Sequence, residues 1–341
     1  MGVGAMEASS PAAFDGDGTS TTIEDLPADV LALVLRRLDG ASLAAVGCAS
    51  SGLHGLATDP DTWRALCLAM WPSVRDLLPC LGLGGADVDH RALFADAFPF
   101  PCSDSPSPPP PSPSQPQPQP LLPARLVSAV DLRHAGVSIL SRVVETDADS
   151  DWFLGAPFRV DALVQEGFTP PTAASASGIS HADLELNWVL LDPATGRALN
   201  ASSRRAVAVD RKWLTGDTVA RFAVVLSGGE GGVALDAAVT CDERYGHVRE
   251  VSLRVEDADG AGVSGRDGLA AVAAAMAAPR RRGCRGGAAA EDAARERYED
   301  FVRGKRARKE WKARREGILD LCCSGVGAAA FLGFLVMLTF R

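Results

Sequence analysis

Apolar residues recur every three or four positions from Leu26 to Leu38, through Val30, Leu31, Val34 and Leu35. This spacing predicts an amphipathic helix, capped by Asp25 and ended by Gly40. A second short helix holds Leu43, Val46 and Cys48. Asp59 followed by Pro60 marks a third start, because the carboxylate accepts an orphan N–H and proline fits the first turn. Trp63, Leu66, Cys67 and Met70 then share one face, and Trp71-Pro72 stops the helix. Residues 22–72 read as a three-helix unit, with a helical extension over 73–100. A unit of about fifty residues is marginal alone, which leaves part of its apolar face to a partner.

After residue 121 the hydrophobic period shortens to that of strands. Arg125 to Leu132, Val137 to Glu145, Phe158 to Leu163 and Leu184 to Val189 carry alternating or β-branched residues. Arg205 to Val209, Val219 to Leu226, Val233 to Val239 and Val248 to Val255 continue the pattern. Turn residues separate them at Asp192 to Gly196 and Leu214 to Asp217. No long amphipathic helix intervenes, so 121–257 is expected to form an antiparallel sandwich or barrel.

The remaining segments follow from composition. Residues 1–21 are small and polar and are expected to be disordered, with no secretory signal. Residues 101–120 are a Pro/Ser/Gln-rich linker, where proline blocks both helix and ladder bonds. Gly, Ala and Arg over 258–290 read as a flexible linker, and 291–317 as a basic polar helix. The fold class is therefore α+β and multidomain.

Leu321 to Phe340 is uncharged, and as a helix it would cover ~30 Å, about the thickness of a bilayer core. Upstream, Arg303, Lys305, Arg306, Arg308, Lys309, Lys312, Arg314 and Arg315 are opposed only by Glu310 and Glu316. The pattern predicts a single transmembrane tail over 318–340, with the N-terminal body in the cytosol. The competing reading is a buried C-terminal helix.

Charge narrows the function classes. The net formal charge is −9. Fourteen basic and six acidic side chains between Arg280 and Arg315 put that segment at +8, and the remainder at −17. An acidic body offers no phosphate track, which argues against a nucleic-acid partner. The eight cysteines are scattered without a CxxC pair and read as reduced thiols. The five histidines show no metal-ligand spacing, and Ser227 to Gly232 lacks the Lys-Ser/Thr ending of a phosphate loop. Asp147, Asp149 and Asp151 alternate but lack the closing Glu of a calcium loop. The reading is a non-enzyme without cofactor or metal.

Arg204, Arg205, Arg211, Lys212 and Trp213 are the candidate target-binding residues, since arginine forks match acidic or phosphorylated groups. The plainer reading is a charged turn with Trp213 covering the sheet edge.

Leu26-Pro27-Ala28-Asp29-Val30-Leu31, Leu35, Leu38, Leu43, Val46, Cys48, Asp59-Pro60 and Trp63, taken in order, resemble the F-box. The wider chain is similar to a plant F-box family. The likeness runs through Cys67 to Val74, Leu126 to Leu132, Ser141 to Thr146, Phe158 to Asp161, Trp188, Gly196-Arg197 and Arg211 to Gly216. Many F-boxes carry a Trp shortly after the Cys of the second helix. Ala49 to Gly52 has none, and Leu53 and Leu56 stand close by in sequence to fill that space.

The resemblance implies a substrate-recognition subunit of a cullin-based ubiquitin ligase. It implies a Skp-type adaptor held by Leu26, Pro27, Val30, Leu31 and Leu35, a cullin reached through that adaptor, and a protein client presented by the downstream region. The alternative is a membrane-associated interaction protein with no ligase role.

Overall fold

The computed structural model describes residues 23–77, 88–98, 121–164, 180–226, 231–242, 246–278 and 288–339. The expected disordered segment 1–21 and the linker 101–120 lie outside them. Contacts divide the chain into two compact units, Met1–Thr62 and Trp63–Arg341.

In the first unit, a single 3-10 turn at Ile23–Asp25 precedes α1 (Ala28–Leu35), α2 (Gly40–Val46) and α3 (Ser51–Ala57). Pro27, not Asp25, stands at the N-cap of α1. Gly40 begins a helix instead of ending one, because the Asp39 carboxylate accepts the Ser42 N–H at 2.8 Å and caps α2. Leu31, Leu35, Leu43, Leu53 and Ala57 form the buried side, and Leu56 is half-buried. α4 (Pro60–Met70) starts as its Asp-Pro signal predicts: the Asp59 carboxylate accepts from the Thr62 N–H at 3.1 Å and from its hydroxyl at 2.6 Å.

The second unit holds two antiparallel sheets. β1 (Arg125–His134), β2 (Val137–Asp147), β4 (Leu184–Leu191) and β5 (Ala198–Asn200) form one, in the order β2-β1-β4-β5. β3 (Arg159–Val164), β6 (Ala208–Arg211), β7 (Thr218–Leu226), β8 (Val233–Cys241) and β9 (Val248–Asp257) form the other, in the order β3-β9-β8-β7-β6. A continuous core takes Leu126, Leu132, Leu186 and Trp188 from the first sheet and Phe222, Leu235, Val251 and Leu253 from the second. Alternation along each strand supplies these residues, as period 2 requires.

Residues 258–290, expected as a flexible linker, instead contain a helix, Gly265–Ala277. Its Leu269, Val272 and Met276 enter the same core. The Ser264 hydroxyl accepts the Asp267 N–H at 3.1 Å and donates to its carboxylate at 2.7 Å, a reciprocal cap. Glycine is required at its first turn: a Cβ on Gly265 would lie 1.8 Å from the Phe153 carbonyl oxygen. The helix thereby packs directly on the short helix Asp151–Gly155.

The transmembrane tail expected over 318–340 is corrected. Among the described residues, no helix is long and apolar enough to cross a membrane. The apolar run is the end of one 52-residue helix, Ala288–Thr339, whose earlier turns carry the basic cluster. The tail-anchored topology, the membrane partner and the cytosolic orientation read from it fall together. The buried-helix alternative is not observed either, since Phe331, Leu332, Phe334 and Met337 are exposed.

The helical extension is part of the β unit. β1 is buried on both faces, and a 3-10 helix, Pro72–Asp76, packs against β1 and β2. There Asp131 is fully buried and accepts from the Ser73 N–H at 3.0 Å, the Ser73 hydroxyl at 2.6 Å and the Ser141 hydroxyl at 2.7 Å. Arg133 donates to the Ala69 carbonyl at 2.7 Å. The helix His90–Ala97 is tied in by Asp96, which receives the Arg197 guanidinium at 2.9 Å. Trp63, Trp71, Phe94 and Phe98 complete this layer with ring contacts.

Burial pushes the Asp131 carboxyl above its ordinary range, against opposing hydrogen bonds from Ser73 and Ser141. The folded state therefore holds this proton more tightly than the unfolded chain. Its contribution is complete below about pH 4 and is lost as pH rises through the raised folded value. We predict that Asp131→Asn flattens this part of the stability–pH curve, measured by urea unfolding across the acid range; a slope equal to wild type would refute the assignment. Asp131→Ala, which strands the Ser73 and Ser141 donors, is expected to cost about 2–4 kcal/mol.

Candidate interaction surfaces

The eight residues of α1 are apolar nearly all round, and the fold divides them between two jobs. Leu31 and Leu35 turn inward, 6% and 5% exposed. Leu26 and Val30 remain 42% and 43% exposed, and Ile23, Leu33 and Val34 are exposed with them. Pro27 is exposed at the helix entrance. Of the five residues expected to hold an adaptor, three are accessible and two are core. Several large apolar side chains exposed within one short stretch are the mark of an interaction surface more than of a free monomer face.

The five candidate target-binding residues do not form one patch. The Arg204 guanidinium is held by Glu185 at 3.1 Å and Arg205 by Glu291 at 3.5 Å. Arg211, Lys212 and Trp213 instead belong to the hairpin between β6 and β7. Its turn is closed by the Lys212 N–H to the Asp217 carbonyl and the Gly216 N–H to the Lys212 carbonyl, both at 2.8 Å. Gly216 adopts φ +78°, which favours glycine. Trp213 does not cover the sheet edge: it is 87% exposed, with Leu214 exposed beside it. The result is an apolar pair on a braced turn, flanked by Arg211 and Lys212.

A third feature was not singled out from sequence. On the second sheet, Arg221 pairs with the buried Asp236 and with Asp210 at 2.7 Å. The long helix Ala288–Thr339 lies over it and brings Tyr298 close, whose hydroxyl is pushed up to about 12 by burial and by Asp236. Burial likewise pushes the Asp236 carboxyl up, while Arg221 opposes that shift. Lys305 reaches Glu256 at 2.7 Å, and Arg308 donates to the Ala258 carbonyl at 3.0 and 2.8 Å. Phe301 packs with Ala234 and Ala258. The sequence signal was an isolated Arg and an isolated Asp inside otherwise apolar strands, TVARFAVVL and VALDAAVTC. Separately, the Cys67 thiol is pushed up to about 12 by burial and donates to the His90 carbonyl at 3.2 Å, an inert packing role.

Known proteins resemble the chain along nearly its whole length. A family model described as F-box-like matches residues 23–69. The F-box protein At2g27310 of Arabidopsis thaliana is 35% identical, over 94% of this chain and 96% of its own length. A further Arabidopsis thaliana relative, At2g36090, is 36% identical over 94% and 95%. The F-box protein At3g44326 from the same plant is 32% identical over 94% and 91%. No solved structure matches the chain.

The ion pair beneath the long helix gives a stability prediction. Arg221→Met leaves Asp236 buried without its counter-charge and is expected to cost about 3–5 kcal/mol in urea unfolding. The double change Arg221→Met/Asp236→Leu should recover most of that loss. A double variant as unstable as the single one would show that the pair's charges are not what the single change disrupts.

Proposed function

This chain belongs to the plant F-box protein family, and we propose that it serves as the client-recognition subunit of a cullin-type ubiquitin ligase. Members of the family are typically non-catalytic adaptor subunits. The F-box occupies 22–72 in this reading and docks a Skp-type adaptor, through which a cullin is reached. The observation that carries the proposal is the row of exposed apolar residues, Leu26, Pro27 and Val30 with Ile23, Leu33 and Val34, inside the F-box match. Leu31 and Leu35 support that row from the core and act on the adaptor only through it.

The β-rich region, 121–257, presents the client. A braced hairpin keeps its tip preorganised, and Trp with neighbouring Arg is the composition of energetic hot spots. Trp213 is the anchor in this reading, with Arg211 and Lys212 steering an acidic partner surface. Arg204 and Arg205, already engaged by Glu185 and Glu291, contribute mainly to the fold.

Two experiments separate these roles. In pull-downs with a Skp-type adaptor, the full-length Leu26→Ala/Pro27→Ala/Val30→Ala variant should lose binding while its thermal unfolding stays near wild type. Leu31→Ala should lower stability by about 2–4 kcal/mol. Undiminished adaptor capture by the folded triple variant would sink the interface, and purification without adaptor or cullin would favour an interaction protein outside a ligase. Trp213→Ala/Leu214→Ser should keep the adaptor but deplete ubiquitylated clients in a comparative proteome; an unchanged client set would remove the hairpin from recognition.

A further inference from the structure

A groove of about 590 Å³ lies between the long helix Ala288–Thr339 and the outer face of the five-stranded sheet at its β6 edge. Its charges sort into committed and uncommitted groups. Asp210 is neutralised by Arg221, Glu256 by Lys305, and Arg303 by Asp300 at 2.7 Å. Arg306 and Lys309 also line the groove, and neither has a hydrogen-bond or ion-pair partner among the described residues. Three positions apart on a helix, they stand on one face about one turn from each other. Glu299 is a third lining carboxylate, beside Asp210 and Glu256.

Two properties define what fits. The floor is bounded by a sheet edge: among the described residues β6 pairs only with β7, and its Ala208 and Asp210 face the groove on the side of Arg221. Sheet edges receive extended chains, which add a strand and place alternate side chains to either side. The helix wall supplies paired cations, which select carboxylates on one of those sides. A nucleic-acid strand fits less well, because lining carboxylates and a chain remainder at −17 repel a continuous polyphosphate.

We propose that this groove receives an extended acidic peptide of a partner protein, its carboxylates held by Arg306 and Lys309 and its backbone beside β6. The site is distinct from both the α1 face and the β6–β7 hairpin tip, and it does not depend on the ligase reading. It gives the basic segment of the long helix a local role, since Lys305 and Arg308 pin the helix and leave the intervening Arg306 free to face a ligand.

The test uses the full chain and a short fluorescent peptide of alternating Glu and Val, followed by anisotropy. Wild type should bind this probe and not its Gln–Val counterpart. Arg306→Glu/Lys309→Glu should weaken binding about tenfold or more, while Lys312→Glu, outside the groove, leaves it unchanged. A Lys–Val peptide should gain binding to the double variant, which shows that the altered groove is still folded. The proposal is overturned if the acidic probe does not bind, if the double variant binds it as wild type does, or if Lys312→Glu weakens it equally. Tighter binding of a single-stranded RNA of matching length would also overturn it, in favour of diffuse attraction to phosphate.

Discussion

The second unit depends on what covers the outer side of β1. A strand buried on both faces needs two apolar surfaces, and here one is the opposite sheet and the other is the segment that begins at Trp63. Asp131 is the only ionisable group on that strand to be fully enclosed, and it is enclosed because Ser73 and Ser141 meet both of its oxygens. Removing such a group's partners leaves a charge in a low-dielectric setting, whereas full satisfaction fixes a unique docking register. Asp96 repeats the device at β5, with Arg197 also donating to the Ala278 carbonyl. Polar side chains thus specify the position of a layer that apolar burial stabilises.

The opposite face is organised differently. There the long helix covers a half-buried ionic cluster, and its grip comes from Phe301 and from charged bonds to Glu256 and Ala258. Arg221 serves two carboxylates at once, so the cluster tolerates no single deletion well. The two sides of the sandwich therefore differ in chemistry: an aromatic layer fixed by a few buried polar bonds on one, a charged groove on the other.

Much of the sheet was legible because alternation is a direct signal of a half-buried strand: eight candidate segments correspond to eight of the nine strands among the described residues. The missing strand, Ala198–Asn200, is three residues long and buried throughout, so it carries no period to read. The helix Gly265–Ala277 was hidden by its Ala/Gly composition, although Leu269, Val272 and Met276 keep the helical spacing and Ser264 with Asp267 marks its start. Gly40 reads as a helix stop in the sequence, but the Asp39 cap turns the same position into a helix beginning. The apolar run near the end of the chain has adequate nominal length, but it is the continuation of one 52-residue helix whose earlier turns are charged, and length alone does not disclose that continuity. For the candidate interface, the sequence showed which residues are apolar. Which of them face out depends on where α3 packs, and no short helix that is apolar all round discloses that.

The docking of the Trp63-to-Phe98 layer has a consequence for the order in which the protein matures. Ser73 and Asp131 are 58 residues apart, and Asp96 and Arg197 are 101 apart. On the ribosome the chain emerges from its N-terminal end, so Trp63, Trp71, Phe94 and Phe98 leave the exit tunnel well before the sheet that shelters them. Until β1, β2 and β5 are made, this layer has no sheet to pack against, and closing the intervening loops adds an entropic delay. Nascent chains of this architecture carry an interval of exposed apolar surface, in which aggregation competes with folding.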